Sequence, residues 1–326
     1  MRHLVGAVLR TALSAVVALL PVPAFAQGRS LRATRELSVS GTFSVIADMA
    51  VTPSGVIAIA EDKVHTLSFF DAEGKALGKM GRRGGGPGEF AAISGMGARG
   101  ETFWIADPLA SRISWVKPDG ALIKTRTAPA ATVLRRAKLP YIRPTPSGIG
   151  AGDTLIVLAD REPSAGVSPF LGAMGFGGRA AIRLAPDGSP ARMLAQIEAS
   201  PSCAVVAANA VARVPLCAGS LISVRPDGGG VVVVAFDGAT LSPVRVRSIG
   251  TTGETLFTYE MAVRPAPIPR AIADSVLRPL RDDARYRAQV VAPRYYPPVR
   301  RVIAGADGSV WLEVHQASLA HEWLGM

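Results

Sequence analysis

Two stretches of the chain share one pattern, and this pattern decides the fold. The first reads Ile57-Ala58-Ile59-Ala60-Glu61-Asp62, then Leu67-Ser68-Phe69-Phe70, then Asp71-Ala72-Glu73-Gly74. The second reads Phe103-Trp104-Ile105-Ala106-Asp107-Pro108, then Ile113-Ser114-Trp115-Val116, then Lys117-Pro118-Asp119-Gly120. Fourteen positions separate Ala60 from Gly74, and fourteen separate Ala106 from Gly120. The two turn glycines are 46 residues apart, about the length of one four-stranded propeller blade.

Three further copies of the pattern follow along the chain. They start at Leu155-Ile156-Val157-Leu158-Ala159-Asp160, at Val231 after Asp227-Gly228, and at Val310-Trp311-Leu312 after Asp307-Gly308. Apolar strands that alternate with glycine turns are typical of sheets built from hairpins. Because no single blade buries both faces of its sheet, the copies must stack. The sequence therefore predicts an all-β fold, a β-propeller.

Two insertions interrupt the repeat. Residues 163–178, rich in Gly, Pro and Ser, lengthen the third copy, and residues 265–300 separate the fourth copy from the fifth. In the second insertion, apolar residues recur at helical spacing between Pro269 and Gln289, namely Ile272, Val276, Leu277 and Leu280. We expect a short helix near 270–288, with Pro279 kinking or ending it.

The first 26 residues have the pattern of a secretory signal. Arg2 and Arg10 precede an apolar run over 11–20, and Ala24-Phe25-Ala26 offers a cleavage site before Gln27. A membrane anchor is the alternative, but the run is about half of the roughly 20 residues that span a bilayer. We expect a secreted or periplasmic protein without a transmembrane segment after cleavage. Residues 27–326 are then predicted to form one propeller domain.

The chain contains two cysteines, Cys203 and Cys217. An oxidising compartment would permit them to pair, and closing so short a loop would contribute roughly 3 kcal/mol. The sequence favours a disulfide, with two unpaired buried thiols as the alternative. No histidine lies near them, so a metal site is not predicted.

The charge of the chain is strongly positive. Its formal net charge is +11, and it becomes +9 when Arg2 and Arg10 leave with the signal, which has no acidic residue. Arginines number 30 and lysines 6. Such a surface tolerates anionic partners; a nucleic acid is not among the partners we expect.

The glycine-rich segment after the first copy carries a resemblance to a known family. Phe69-Phe70-Asp71-Ala72-Glu73-Gly74-Lys75 is followed by Gly81-Arg82-Arg83-Gly84-Gly85-Gly86-Pro87-Gly88-Glu89-Phe90. This resembles the NHL-like six-bladed β-propeller proteins exported by bacteria, in which a Gly-x-Gly-Pro-Gly-Glu-Phe junction commonly links successive blades. Asp107 with Arg112-Ile113 matches the family's Asp, short gap, Arg-Ile pattern. The resemblance covers residues 40–128 well and 150–314 loosely, and it implies six blades.

The chain departs from the family in its visible blade count. Five blade starts are present, and the chain ends at Met326, soon after the fifth. Residues 31–40 are expected to supply an outer strand that closes the ring. An incomplete last blade, in a truncated chain, is the alternative.

Most polar candidates have structural interpretations. The junction 81–90 does not have the spacing of a nucleotide-binding loop and is predicted to be a turn between blades. Glu61, Asp107 and Asp160 end corresponding strands, where carboxylates commonly accept backbone N–H groups. His65, His315 and His321 do not form a complete metal-ligand pattern. We assign no catalytic residue, no metal site and no cofactor.

The stretch 270–301 is the candidate ligand surface. It contains eight arginines and three aspartates, which gives a local charge of +5, and three tyrosines lie among them in the sequence. Arginine and tyrosine together stack on planar groups and pair with phosphates or carboxylates. The candidate contacts are Arg285, Arg287, Tyr295, Tyr296, Arg300 and Arg301. The alternative is a solvated insertion whose tyrosines pack on the propeller.

Three functional hypotheses remain open on the sequence. The first is a non-catalytic binding propeller for a protein partner or an anionic envelope polymer. The second is a metal-dependent propeller hydrolase or lyase, although the chain has one asparagine, Asn209, and no Gly-x-Ser-x-Gly motif. The third is a truncated copy without function. The propeller fold does not choose among them, because propellers host many functions.

Overall fold

A computed structural model describes residues 29–30, 38–39, 41–162, 178–200, 203–207, 210–236, 241–315 and 321–325. The predicted signal 1–26 lies outside these ranges, and so does the insertion 163–178 except for its last residue.

The described chain is a β-propeller, as predicted. Its first strand, β1 (Arg29–Ser30), belongs to the last sheet. Four antiparallel blades then follow, each made of four consecutive strands. Blade 1 contains β2 (Ile46–Val51), β3 (Ile57–Glu61), β4 (Thr66–Phe70) and β5 (Ala76–Met80). Blade 2 contains β6 (Gly95–Arg99), β7 (Thr102–Asp107), β8 (Arg112–Val116) and β9 (Leu122–Thr127). Blade 3 contains β10 (Tyr141–Ile149), β11 (Leu155–Arg161), β12 (Arg179–Leu184) and β13 (Pro190–Ile197).

A two-stranded hairpin, β14 (Ala204–Ala207) and β15 (Ala210–Arg213), separates blade 3 from blade 4. Blade 4 contains β16 (Leu221–Val224), β17 (Val231–Phe236), β18 (Val244–Ile249) and β19 (Thr255–Met261). The fifth sheet contains β20 (Val299–Ala304), β21 (Val310–His315) and β22 (His321–Gly325), with β1 on its outer edge. The five copies predicted from the sequence correspond to β3, β7, β11, β17 and β21. A sixth four-stranded sheet is not found in the described ranges.

The fifth sheet joins the two ends of the described chain. Arg29 pairs with Gly325 and Ser30 with Leu324 in antiparallel register. The sequence placed the closing strand within residues 31–40. The closing strand observed here ends at Ser30, and most of 31–40 falls outside the described part of the chain.

Hydrophobic clusters between neighbouring sheets hold the propeller together. Phe103 and Ile105 of β7 pack in a cluster with blade 1, whereas Trp104 and Ala106 of the same strand pack in a cluster with blade 3. The strand β17 does the same, with Val231 and Val233 on the blade 3 side and Val232 and Val234 on the fifth-sheet side. Successive side chains of a strand point to opposite faces. These second strands are therefore apolar at nearly every position, because both faces are buried.

Neighbouring innermost strands run in the same direction. The N–H of Ile149, at the end of β10, donates to the carbonyl of Pro226, just after β16, at 3.2 Å. The N–H of Ala304, at the end of β20, donates to Ser223 Oγ near the end of β16, also at 3.2 Å. The starts of the innermost strands therefore share one face of the propeller, and their ends share the other.

The two faces differ in the connections they carry. Because strands alternate in direction, the turns after first and third strands share a face, here named the turn face. These turns are short, as at 52–56 and 71–75 in blade 1. Connections after second and fourth strands lie on the opposite face, here named the connection face. The long segments after residues 127, 197 and 261 all belong to the connection face.

A small second layer covers part of the connection face. It contains the hairpin β14–β15 and the helix α2 (Arg270–Asp282); a shorter helix, α1 (Ala131–Arg136), lies between blades 2 and 3. Leu277 and Tyr286 pack with Val205 and Val214 in one buried cluster. The helix was predicted, and it runs three residues beyond Pro279. Of the two effects expected of Pro279, ending the helix is therefore wrong, and a kink stays a prediction. The hairpin and α1 were not predicted.

A disulfide in the structure joins Cys203, at the start of the hairpin, to Cys217, beyond its end. Their Cα atoms are 5.2 Å apart. The N–H of Val214 also donates to the carbonyl of Cys203 at 2.9 Å, so the bridge closes the base of the hairpin that supports α2.

The glycine-rich junction 81–90 is one hydrogen-bonded unit between blades 1 and 2. Arg112 donates to the carbonyls of Gly85, Gly86 and Glu89. Asp107, 1% exposed, accepts the N–H groups of Ala91, Ala92 and Ala110. Gly81 has φ +94°, and a Cβ there would overlap the carbonyl oxygen of His65. The junction is therefore a turn between blades, as predicted, and it turns backbone carbonyls toward Arg112.

We predict that Arg112→Met lowers the free energy of unfolding by about 2–3 kcal/mol. In this variant, the backbone carbonyls that accept hydrogen bonds from the charged Arg112 lose their donor. Arg83→Met is the matched control, since Arg83 is exposed in the same junction, and it should change stability by less than about 0.5 kcal/mol. Urea denaturation measures both. Equal stabilities of the two variants would contradict this role of Arg112.

The disulfide between Cys203 and Cys217 predicts that neither thiol reacts with an alkylating agent in the denatured, unreduced protein. After reduction both should react. Intact-mass spectrometry checks this directly. Replacing both cysteines with serine should cost at most about 3 kcal/mol, and should increase proteolysis at the hairpin. Alkylation before reduction would contradict the pairing.

Candidate functional site

The arginines predicted to bind a ligand occupy two separate places on the connection face. Arg285 and Arg287 follow helix α2. Arg300 and Arg301 lie in β20, the innermost strand of the fifth sheet. The structure thus divides the predicted set, with Tyr295 and Tyr296 between the two groups in the chain.

Arg285 and Arg287 are both engaged near the end of α2. Arg285 forms a bidentate ion pair with Asp283, and its guanidinium carbon lies 5.2 Å from the ring centre of Tyr286. The Arg285 guanidinium lowers the pKa of Asp283 to about 2, so the pair stays ionised at neutral pH. Arg287 donates to the carbonyls of Arg281 and Asp282. Arg287 therefore keeps its positive charge without a carboxylate partner among the described residues, whereas Asp283 neutralises Arg285.

Tyr295 lies on a segment that the backbone holds in place. The N–H of Ile268 donates to the carbonyl of Arg294 at 3.0 Å, and the N–H of Tyr296 donates to the carbonyl of Ala266 at 2.9 Å. Arg294 and Tyr295 are exposed. Within the described ranges, no carboxylate lies within 4 Å of Arg294. The segment therefore carries an exposed arginine and, next in the chain, an exposed tyrosine on a hydrogen-bonded backbone.

Tyr296 packs on the fifth sheet. Its ring stacks on His315 with the ring centres 5.0 Å apart, and His315 Nδ1 lies 2.8 Å from the carbonyl oxygen of Pro297. For this residue, the alternative interpretation of a tyrosine packed against the propeller agrees with the geometry.

Arg300 and Arg301 share one buried carboxylate. Arg300 Nη1 is 3.2 Å from Glu313 Oε1, and Arg301 Nε is 3.7 Å from Glu313 Oε2. Both arginine side chains are more than half exposed, whereas that of Glu313 is 8% exposed. One carboxylate balances one of the two cations, so the cluster of these three side chains has a charge of +1.

A second cluster of one carboxylate and two arginines lies in blade 3, and it was not predicted from the sequence. Asp160 Oδ2 is 2.6 Å from Arg143 Nη2, and Asp160 Oδ1 is 3.2 Å from Arg179 Nε. Asp160 is buried and both arginines are half-exposed. Asp160 had been expected to cap a turn because it ends its strand as Asp107 does. No signal along the chain distinguishes the two aspartates, since Arg143 and Arg179 come from other strands.

Three further carboxylates in blades 1 and 2, Glu61, Asp107 and Asp48, accept hydrogen bonds from backbone N–H groups. Glu61, in blade 1, accepts the N–H of Ser44 at 2.8 Å, and Asp107 accepts three N–H groups, as described above. Both residues accept backbone N–H groups, as predicted. Asp107 caps the turn after its strand through Ala110, whereas Glu61 binds Ser44, which precedes β2. On the innermost strand β2, Asp48 accepts the N–H of Met96 at 2.8 Å; burial raises the pKa of this carboxyl despite its backbone hydrogen bonds.

The histidines do not form one group. His65 lies in blade 1, while His315 and His321 pair in register across the last sheet. Nowhere in the described residues do three His, Cys, Asp or Glu side chains come together in a group that could hold a metal ion. No helix of the described chain has the length and apolar character needed to cross a membrane.

Comparison with known proteins finds structural similarity only. No protein-family model and no curated protein sequence matches the chain. The chain is similar to hydrazine synthase from Kuenenia stuttgartiensis (13% identity, TM-score 0.38), covering 89% of this chain and 61% of that one. It is also similar to a candidate exported protein from Bacteroides fragilis (11%, TM-score 0.45; 91% and 71%). A third is the PQQ-bound aldose sugar dehydrogenase from Streptomyces coelicolor (13%, TM-score 0.37; 92% and 97%).

These similarities do not assign a function. The chain spans less than two thirds of the hydrazine synthase chain. The identities and TM-scores are too low to carry an argument, so the propeller assignment rests on the strand pairing itself. The NHL-like resemblance and its six blades remain predictions.

Because Glu313 is buried and pairs with two arginines, we expect its replacement to cost more stability than the replacement of Glu260, which pairs with one arginine and is exposed. Glu313→Gln should lower the free energy of unfolding by about 1.5–3 kcal/mol, because it removes the carboxylate that accepts a hydrogen bond from Arg300 and pairs with Arg301. Glu260→Gln, which removes the exposed partner of Arg245, should cost less than about 1 kcal/mol. Urea denaturation of both variants checks this, and an equal effect would contradict the shared role of Glu313.

Proposed function

We propose that this chain is a non-catalytic binding propeller of an extracytoplasmic compartment, and that its connection face binds an anionic envelope polymer. The observation that carries the proposal is the set of exposed arginines on this face that no described carboxylate neutralises. Arg287 and Arg294 belong to this set, and the exposed Tyr295 follows Arg294 in the chain. Such side chains pair with phosphate or carboxylate groups and stack on sugar rings.

The candidate residues take different roles in this proposal. Arg287 and Arg294 supply positive charge, and Tyr295 supplies an exposed ring. Arg285 contributes less, because Asp283 already holds its guanidinium group. Tyr296 supports the surface through its contact with His315. Arg300 and Arg301 extend the basic surface onto the innermost strand.

The extracytoplasmic location rests on the predicted signal 1–26 and on the disulfide. Disulfides persist in oxidising compartments and are rare in the cytosol. An anionic polymer of the cell envelope would be accessible to the protein there. Single weak contacts of this kind gain affinity when many act together along a polymer.

The proposal is tested by binding to immobilised polygalacturonate, a carboxylate polymer, with neutral dextran as the reference surface. We expect binding to polygalacturonate alone, and weaker binding as salt rises, since salt screens exposed charges. The variant Arg287→Gln/Arg294→Gln should lower the affinity about tenfold. Its loss of roughly 1.4 kcal/mol is within the range of a few exposed charge contacts.

The matched control is Lys75→Gln/Lys117→Gln, which makes the same change in net charge on the turn face, where both lysines are exposed. This variant should bind as the wild type does. Wild-type protein that does not bind polygalacturonate at low salt, or that binds dextran equally, would overturn the proposal. Equal losses in both variants would show a general charge effect and would also count against the connection face.

A further inference from the structure

A β-bulge recurs at the start of the innermost strand in three of the five sheets. In β20, Val299 pairs with Val314 and Arg301 with Glu313, so Arg300 is the extra residue. In β10, Ile142 pairs with Asp160 and Thr145 with Leu158, so the extra residue falls within 143–144. In β2, the extra residue is Ala47, between partners of Glu61 and Ala60. A bulge re-aims the side chain it carries.

In two of these bulges the side chain is an arginine that donates to a buried carboxylate of the second strand. Arg300 reaches Glu313, and Arg143 reaches Asp160. Each carboxylate also holds a second arginine, Arg301 or Arg179. Arg143 has φ +51°, a left-handed conformation that costs a non-glycine residue about 1–2 kcal/mol. Backbone strain of this kind clusters at functional sites.

The arginines of the two clusters are more exposed than Arg112, which holds the junction between blades 1 and 2. Arg112, which binds three backbone carbonyls of the junction, is 14% exposed, whereas Arg143 and Arg179 are each 48% exposed. One arginine would suffice to balance each carboxylate. The second arginine leaves a charge of +1 among the three side chains, and the buried carboxylate holds both guanidinium groups in fixed positions. This is the arrangement of a preorganised anion site.

Both clusters lie on the connection face. Asp160 and Glu313 come near the ends of second strands, and Arg143 and Arg300 near the starts of innermost strands. Blade 4 separates them. Since packed sheets are about 10 Å apart, the two clusters are on the order of 20 Å from each other.

We propose that Arg143–Asp160–Arg179 and Arg300–Glu313–Arg301 are two equivalent anion sites that together bind one polyanion with repeating carboxylate or phosphate groups. This inference rests on the proposed function and adds the blade 3 site and the bivalent mode of binding. A single small anion cannot contact both sites, whereas an extended polymer can. Bivalent attachment raises affinity by about a hundredfold or more over one contact.

The test compares polygalacturonate with the galacturonate monomer on the full-length mature protein. Wild type should bind the polymer at least about a hundredfold more tightly than the monomer. The variants Arg143→Gln/Arg179→Gln and Arg300→Gln/Arg301→Gln should each lose at least about tenfold in affinity for the polymer, and the quadruple variant should lose more than either. Each double variant should keep weak monomer binding at its intact site.

Arg161→Gln/Arg245→Gln is the matched control. These two arginines are exposed to a similar degree and pair with exposed glutamates, Glu198 and Glu260, so the net charge change is the same. The control should bind the polymer as the wild type does. Wild-type affinity in the blade 3 double variant would overturn the inference, even if polygalacturonate binding itself, and with it the proposed function, stands. No polymer binding by any form would instead overturn the proposed function.

A second measurement covers the case in which a glutamine variant does not fold. Phenylglyoxal labels exposed arginines, and peptide mass spectrometry reports the labelled positions in the wild type. Polygalacturonate should protect Arg143, Arg179, Arg300 and Arg301 together, and leave Arg161 and Arg245 labelled. Unchanged labelling of Arg143 and Arg179 in the presence of bound polymer would overturn the inference.

Discussion

The whole structure depends on one packing constraint, the burial of both faces of each blade's second strand. In β7, Trp104 packs toward blade 3 and Phe103 toward blade 1. Neither face could remain in water without losing about 25 cal/mol for each Å² of apolar surface now buried. Each of these blades therefore requires a neighbour on both sides, and the stacking of sheets follows from single strands. The short turns of the turn face allow this stacking, while the connection face is left to vary.

This constraint explains why so much of the fold could be predicted from the sequence. A strand buried on both faces is a continuous apolar run, and such runs at 57–60, 103–106, 155–159, 231–235 and 310–312 marked the five second strands. The helix α2 was predicted for a similar reason, because apolar residues that include Leu277 recur at helical spacing and so form one buried side of a helix. The junction 81–90 was assigned correctly as a turn because its glycine spacing excludes a nucleotide loop.

The bulges of the innermost strands, and the carboxylates that hold their arginines, could not be predicted, and the reason is physical. A bulge is a property of the register between two strands, so nothing beside Arg143 or Arg300 in the sequence announces it. Asp160 occupies the position of Asp107 and was assigned the same role, yet its partners come from β10 and β12 rather than from the backbone of a junction. Pro279 does not end its helix, because Leu280 beyond it packs in the same cluster as Leu277. Tertiary packing decides these cases.

The arginine content of the chain has two structural uses. On the turn face, Arg126 donates to the carbonyl of Asp153 and Arg192 to that of Thr252, each in the next blade. Lysine would serve poorly there, because a guanidinium group offers five donors in a fixed fork. The same fork lets one buried carboxylate hold two arginines on the connection face, where the two guanidinium groups carry one charge more than the carboxylate. Because one arginine balances one carboxylate, the paired arginines at Asp160 and Glu313 bring one positive charge to each cluster beyond what its carboxylate balances.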